Sequence, residues 1–449
     1  MKKVLKTMLL AFGLSAVFSL AAFADGWTME NGQWAYYENG YRVTNDWRTS
    51  ADGGYYYLGS NGYMAVNSFI NSERYVDADG RMVTNGWRQI DSKWYYFDNN
   101  GQLITNRSRQ INGLWYFFDY DGSMKTGWVE DGDSLYYCDP EAGGRMVTST
   151  WRYIAPDPDL VNDYDNSPYS ADGKYWFYFL SSGKAVRSQG YGEYREMVIN
   201  NNRYAFDYAG RMQVGWVQVD ASASPAIAGY RYYNDSESIG TYGAAHQGWL
   251  SAYPPEDEGY LGNVSWYYFD SKGQPYYGTD VSESDDDETL VAKFKRLEKD
   301  GKTETYLFNE YGNPVYGLRK VRRSNGEVTS MYFGTSQECC LQKGTKRITD
   351  SEGNSYTYNF DSQGYGYTGV RDGKLYYMGL LQRAVDSSYA YYTVNGETYL
   401  VNSSGNIRKN YNSNKEEAEY KSDSQGKWMS GAYAEPSELL TPVFEVSYV

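Results

Sequence analysis

A unit of about twenty residues recurs along this chain, and it constrains the fold more than any single motif does. Its clearest copy reads Trp87-Arg88-Gln89-Ile90-Asp91-Ser92-Lys93-Trp94-Tyr95-Tyr96-Phe97-Asp98-Asn99-Asn100-Gly101-Gln102-Leu103-Ile104-Thr105. Two short aromatic or apolar runs flank a turn, Asn100-Gly101 in this copy and Asp121-Gly122 in the next. Such pairs tolerate the positive φ that a tight turn between right-twisted strands requires, so each unit is predicted to be one β-hairpin. Alternation along a strand then puts Trp94 and Tyr96 on one face and Tyr95 and Phe97 on the other. A lone two-stranded hairpin is marginal in water, and copies gain stability by stacking. The expected fold is all-β, a repeat solenoid of stacked hairpins with irregular insertions.

The array opens with Trp27, Trp34, Tyr36 and Tyr37 before Asn39-Gly40, followed by Trp47 and Tyr55-Tyr56-Tyr57-Leu58 before Asn61-Gly62. A shortened unit runs through Tyr75 and Val76 to Asp79-Gly80. After the clearest copy come Trp115-Tyr116-Phe117-Phe118, then Leu135-Tyr136-Tyr137-Cys138, then Trp151. Beyond Trp151 three insertions interrupt the hairpins, at residues 155–171, Ala221 to Gly229 and Ala252 to Asn263; they are expected on the outside, where added length costs little. Between Tyr267 and Lys427 there is no Trp, although hairpin traces persist. The predicted organisation is a signal peptide over 1–24, a Trp-rich array over 25–280, degenerate Trp-poor hairpins over 281–411 and a polar tail over 412–449. The soft boundary falls in the charge-rich Ser282 to Lys302, where Leu290 to Leu297 is either a short helix or an exposed strand. Within the tail, Asn412 to Lys427 is expected to be mobile, and Leu439 to Val449 to return as an edge strand.

Lys2, Lys3 and Lys6 precede an apolar run from Met8 to Leu20, and Ala22-Phe23-Ala24 offers the small residues a signal peptidase reads, so cleavage before Asp25 and export are expected. No Cys follows the run to take a lipid, and no second apolar stretch is long enough to span a membrane. Retention at a cell surface is therefore expected to be non-covalent. The formal charge is −15, and the first 24 residues carry three Lys and no acid, so their removal leaves −18. That argues against a nucleic-acid partner, while net charge is otherwise a weak guide to ligands. Of the three Cys, Cys138 holds the place of Phe97 and reads as a small buried hydrophobe; Cys339-Cys340 are too close in sequence for an easy bridge.

The pattern Gly-Trp, six residues, Trp-Tyr-Tyr-Phe-Asp, two residues, Gly, then Met or Leu resembles the choline-binding, or cell-wall-binding, repeat family of Gram-positive surface proteins. It is also similar to the repeats of clostridial toxin tails and glucan-binding proteins. The resemblance is specific over Trp27 to Trp151, fair to about Tyr277, and weak beyond. It implies ligand pockets between consecutive hairpins, walled by the Trp of Gly-Trp, the first aromatic of Trp-Tyr-Tyr, and the third position of that motif in the next hairpin. Carried onto this chain, Trp87 and Trp94 with Phe117 form one set. Trp27 and Trp34 with Tyr57 form another, and Trp47 and Tyr55 with Tyr75 a third. Elsewhere the resemblance implies damaged pockets. Ser108 and Leu135 stand where indoles are wanted, Ala205 where Trp151 and Trp176 need a third wall, and Leu307 where Trp249 and Trp266 do. Trp216, Tyr230 and Tyr268 close a pocket only if both neighbouring insertions loop out.

Three converging ring faces suit a quaternary ammonium, whose charge is attracted by each ring quadrupole. At ~1–2 kcal/mol per wall one pocket holds choline at roughly millimolar affinity, and several pockets on a polymer raise avidity by ~10²–10⁴. The leading expectation is a non-catalytic secreted protein bound to choline-substituted teichoic acid or another cell-wall glycan. The alternatives are a glycan- or glucan-binding repeat protein, with Arg88, Gln89 and Arg109 as hydrogen-bond donors, and an adhesive spacer whose residues 281–449 face a protein partner. The bland reading of any one aromatic is core, and Met82, Met124, Met146 and Met212 read as packing residues. Catalysis is not expected: His246 is the one His, and it approaches a repeat Trp with no nucleophile in a recognisable setting. Asp157, Asp159, Asp163 and Asp165 lack calcium-loop spacing, Asp285-Asp286-Asp287-Glu288 reads as a solvated turn, and no cofactor is implied.

Overall fold

The computed structural model describes residues 25–161, 170–255, 264–278, 289–291, 294–385, 387–413 and 419–444. The expected signal peptide, Asp163 and Asp165, most of the third insertion and the Asp285 to Glu288 run lie outside these residues. The described chain is almost wholly β, with two short 3-10 turns at Pro158–Leu160 and Ala226–Gly229. Among the described residues no helix is long and apolar enough to cross a membrane.

Each repeat is a hairpin, but its tight turn is not at the expected place. Arg88 pairs with Tyr95, Gln89 with Trp94 and Ile90 with Lys93, around Asp91-Ser92. Both turn residues have positive φ, 48° and 68°, which matches the twist of the flanking strands. Asn31-Gly32, Asn112-Gly113 and Asp300-Gly301 serve the other hairpins in the same way. Asn100-Gly101 instead lies in the return loop. There the Asp98 carboxylate accepts the backbone N–H groups of Asn100 and Gln102, at 2.9 and 2.8 Å, and Gly101 N–H donates to Asp98 O. The aspartate side chain, not a strand pair, makes that turn.

The return loop links one hairpin to the one before. Its exit residue donates its backbone N–H to a carbonyl at or beside the start of the second strand of the preceding hairpin: Met64 to Trp34, Met82 to Tyr55, Leu103 to Glu73, Met124 to Trp94, all within 2.7–2.8 Å. The link recurs farther on from Met212 to Trp176 and from Ala245 to Arg203. Pro314 holds this place in one repeat and has no N–H; there the Asn313 side-chain amide reaches Trp266 O instead, at 3.3 Å. The exit side chain then lies under the glycine of the following loop. A Cβ on Gly80 would stand 2.6 Å from Met64 Cε, and one on Gly122 2.6 Å from Leu103 Cδ2. Tyr95 and Phe97, the latter wholly buried, face back onto Phe69 and Tyr75, and Trp94 and Tyr96 turn to the other side.

The chain forms two compact units, residues 1–152 with 178–185, and 153–177 with 186–449. The first is an array of these hairpins. The second begins in the same way and changes character from residue 289, where Thr289–Val291 runs parallel to Leu318–Arg322 in a three-stranded sheet. A five-stranded sheet comes next, built from Gly344–Thr349, Ser355–Phe360, Leu380–Leu381, Lys374–Tyr377 and Gly369–Arg371. The segment left as helix or strand is strand, at Thr289–Val291 and Lys295–Lys299. In the tail, residues 414–418 of the stretch expected to be mobile lie outside the described residues, and Tyr391 OH donates to Lys421 O and accepts from Lys421 N–H. The final segment joins no strand up to residue 444; Gln382 bonds both the N–H and the carbonyl of Leu440, and Leu439 and Leu440 pack on an apolar cluster.

Gly113 and Gly122 separate backbone strain from stacking, because both sit near φ +80° and only Gly122 abuts a neighbouring repeat. Gly113→Ala is expected to cost about 1–2 kcal/mol, and Gly122→Ala a further 1–3 kcal/mol, roughly, from the collision with Leu103. Urea unfolding of the two variants checks this, and equal losses contradict the stacking described.

Candidate functional site

The cross-strand register decides which rings meet. Trp87 pairs with Tyr96, and its indole is met by Tyr96 at 5.2 Å and by Trp94 edge-on at 6.4 Å and 84°. From the next hairpin come Tyr116, at 4.9 Å and 67°, and Phe118, stacked at 5.7 Å and 27°. Trp94 stays 43% exposed. Two indoles at right angles, a tyrosine and a phenylalanine thus gather into one aromatic cluster, the Trp87 cage, with Trp94 reaching solvent.

Phe117 is not part of it. It pairs with Ser108 in its own hairpin, turns to the opposite face, and packs with Val129, Cys138 and Tyr136, whose ring lies 4.9 Å away. Tyr57 and Tyr75 depart from expectation for the same reason, facing Trp47 at 5.2 Å and Phe69 at 5.1 Å across their own hairpins. A one-residue step along a strand exchanges faces, so the closing ring is the second aromatic of the next hairpin and not the third. For Trp27 and Trp34 that ring is Tyr56, 5.5 Å from Trp27 at 75°; Trp27 Nε1 also donates to Thr49 O. For Trp47 and Tyr55 the position is Arg74, so this third expected set has no closing ring.

The same step restores a cage that the sequence pattern marks as damaged. Trp249 meets Trp266 at 6.3 Å and 84°, Tyr268 at 5.2 Å, Tyr306 at 4.7 Å and 59°, and Phe308 stacked at 6.0 Å and 26°. Leu307, the expected and inadequate wall, is buried on the other side among Val321, Met331 and Phe333. Burial pushes the Tyr306 hydroxyl up to about 12, so the wall stays neutral. At Trp216 the closing ring is Tyr267 rather than Tyr268, at 4.9 Å and 74°. The insertion before it does not loop out: Ile227 packs into the cluster, and Tyr230 and Tyr267 are both buried. Tyr116, Tyr56 and Tyr306 were legible only through turns such as Asn112-Gly113, which set which face each position takes.

Residues 108–151 match the choline-binding repeat family, and residues 45–64, 85–103 and 265–274 match the cell wall binding repeat. These segments contain Trp87, Trp94, Tyr116 and Trp266. Over these segments the chain matches choline-binding repeats. No functionally curated protein matches it. Several solved structures similar to it come from Streptococcus pneumoniae. The modular autolysin LytC is 17% identical over 66% of this chain and 54% of its own, with a TM-score of 0.37, so this chain spans about half of LytC. Choline-binding protein F is 19% identical over 72% of this chain and 98% of its own, with a TM-score of 0.39. CbpJ is 21% identical over 72% and 99%, with a TM-score of 0.38.

Outside these cages, the reactive side chains are tied into packing. His246 is buried, with Nδ1 2.8 Å from Asn234 Oδ1 and Nε2 3.2 Å from Trp249 O, its ring against Phe269. Cys138 is a free, buried thiol that burial pushes up to about 12; Cys339 and Cys340 are also free. Asp157 accepts the Asp159 N–H and caps the short turn behind it. Among the described residues no cluster of metal-ligating side chains occurs.

Burial depresses the His246 pKa, and the Trp249 carbonyl opposes this only in part. A group depressed in the folded state adds stability above its unfolded value, near 6.5, and that stability is lost as pH falls through the folded value. With one His in the chain, its imidazole proton resonance is expected to titrate below 6.5, and His246→Gln to remove the part of the stability loss that begins below pH ~6.5. A midpoint at or above 6.5 contradicts the assignment.

Proposed function

We propose that this chain is an exported, non-catalytic binding protein held on the cell envelope by choline-bearing wall polymer, which its inter-hairpin cages grip by the trimethylammonium group. The observation that carries this reading is the recurrence of one geometry. At Trp87 and at Trp249 an indole pair at 6.3–6.4 Å and 84° is closed by a tyrosine of the next hairpin at 4.7–4.9 Å. Packing alone has no need of two perpendicular indoles with one left 43% exposed, whereas a trimethylammonium ion gains from every ring face turned to it. A sugar stacks on a single face and asks for adjacent donors. Arg88, expected as such a donor, directs Nη1 to Trp87 O at 3.0 Å. One cage is weak, and a polymer spanning several makes the attachment durable.

Choline titration followed by tryptophan fluorescence tests this. The native chain is expected to saturate at roughly millimolar choline, Tyr116→Ala to weaken the Trp87 cage about tenfold, and Phe117→Leu to leave it unchanged. No response at tens of millimolar choline, with a response to a glucan or a peptidoglycan fragment, transfers the cages to sugar and overturns the proposal.

A further inference from the structure

The two best-formed cages differ in one respect: the cage at Trp249 already contains a cation. Lys299 Nζ lies 3.9 Å from the centroid of the Trp266 ring and 5.0 Å from that of Trp249. Among the described residues no cation lies over Trp87, Trp94 or Tyr116. We infer that Lys299 is a built-in occupant of the Trp249–Trp266–Tyr306 cage, which makes that cage a latent quaternary-ammonium site held closed by the protein's own side chain. The inference rests on the proposed function for the nature of the displacing ligand, but not for the position of the lysine.

Hairpin length explains how Lys299 gets there. In the hairpin that closes the Trp87 cage, Tyr116 comes three residues after the turn glycine Gly113; in the hairpin that closes the Trp249 cage, Tyr306 comes five after Gly301. Measured from the closing tyrosine, the second hairpin therefore carries two more residue pairs before its turn, and Lys299 is the last residue before that turn. Trp249 Nε1 donates to the carbonyl of the adjacent Glu298 at 2.9 Å, fixing the strand against the indole. From there the lysine stem delivers its ammonium to the face of Trp266. Without the extra pairs no residue of this strand extends beyond the cage mouth, which is the situation at Trp87, where Ile111 precedes the turn and is buried.

An ammonium held on a short tether competes at high effective concentration, and the apparent affinity of an incoming ligand falls by the fraction of time the cage is vacant. Free choline at concentrations that fill the Trp87 cage is thus expected to leave the Trp249 cage closed. A polymer already engaged by neighbouring cages presents choline at concentrations sufficient to displace the lysine.

Two measurements on the full chain test this. In the native protein the ε-methylene protons of Lys299 are expected to resonate upfield of ordinary lysines, to return to the ordinary position in Trp266→Ala, and to move towards it at saturating choline. In equilibrium dialysis at choline levels that fill the Trp87 cage, Lys299→Met is expected to bind one equivalent more than the native chain, and Lys299→Met with Trp266→Ala to lose it. An ordinary Lys299 shift in the native chain, or no added equivalent in Lys299→Met while the Trp87 cage binds normally, overturns the latent site alone. An upfield Lys299 with no choline bound by any variant overturns the proposed function, and the latent site with it.

Discussion

Within each compact unit the architecture depends on a recurring backbone hydrogen bond, from the N–H at the exit of a return loop to a carbonyl near the start of the second strand of the hairpin before. A β-hairpin leaves both its edges and both its faces unsatisfied. This bond fixes how far, and in which rotation, the next hairpin advances. In loops such as those of Gly80, Gly101, Gly122 and Gly144 the glycine completes the constraint, since it admits the Met or Leu of the preceding repeat where a Cβ would collide with it. Where Pro314 has no donor, the Asn313 side-chain amide makes an equivalent link to Trp266 O.

The cages are a consequence of that advance. Once a hairpin is fixed by the carbonyl of Trp94, the second and fourth aromatics of its outer strand necessarily face the indole of Trp87. The third aromatic faces away and builds the next contact along. Where Ser108 replaces the indole, Phe117 leans across and makes with Tyr136 the contact that Trp87 makes with Tyr116. The stack is preserved there and the cage is lost. Insertions and lengthened hairpins modify the scheme without breaking it: Ile227 fills one cage with hydrocarbon, and Lys299 fills another with charge.

The all-β class, the hairpin unit and the identity of the paired indoles were legible in the sequence, because aromatic spacing survives in every good copy. The closing ring was not, and the reason is local. Asn100-Gly101 carries the strongest tight-turn signature in the repeat, yet an Asp98 carboxylate makes that turn, while the strands are joined by Asp91-Ser92, which has no glycine to announce it. The family resemblance implies the third position of the next hairpin's motif as the closing ring, here Phe117, Tyr57 and Tyr75, whereas the register turns that position to the opposite face and presents the second. Tyr306 was missed by the same step. Lys299 was invisible for a different reason: nothing in a Trp-poor, charge-rich stretch marks which lysine two added residue pairs will carry to an indole.

The central claim is that the second aromatic of a following hairpin, with the indole pair of the one before, encloses an organic cation. A crystal structure of the chain soaked with choline examines it most directly at the Trp87 cage. The account predicts a trimethylammonium group enclosed by Trp87, Trp94 and Tyr116; choline lying instead against Phe117, or a Trp87 cage left vacant at saturating ligand, would contradict it.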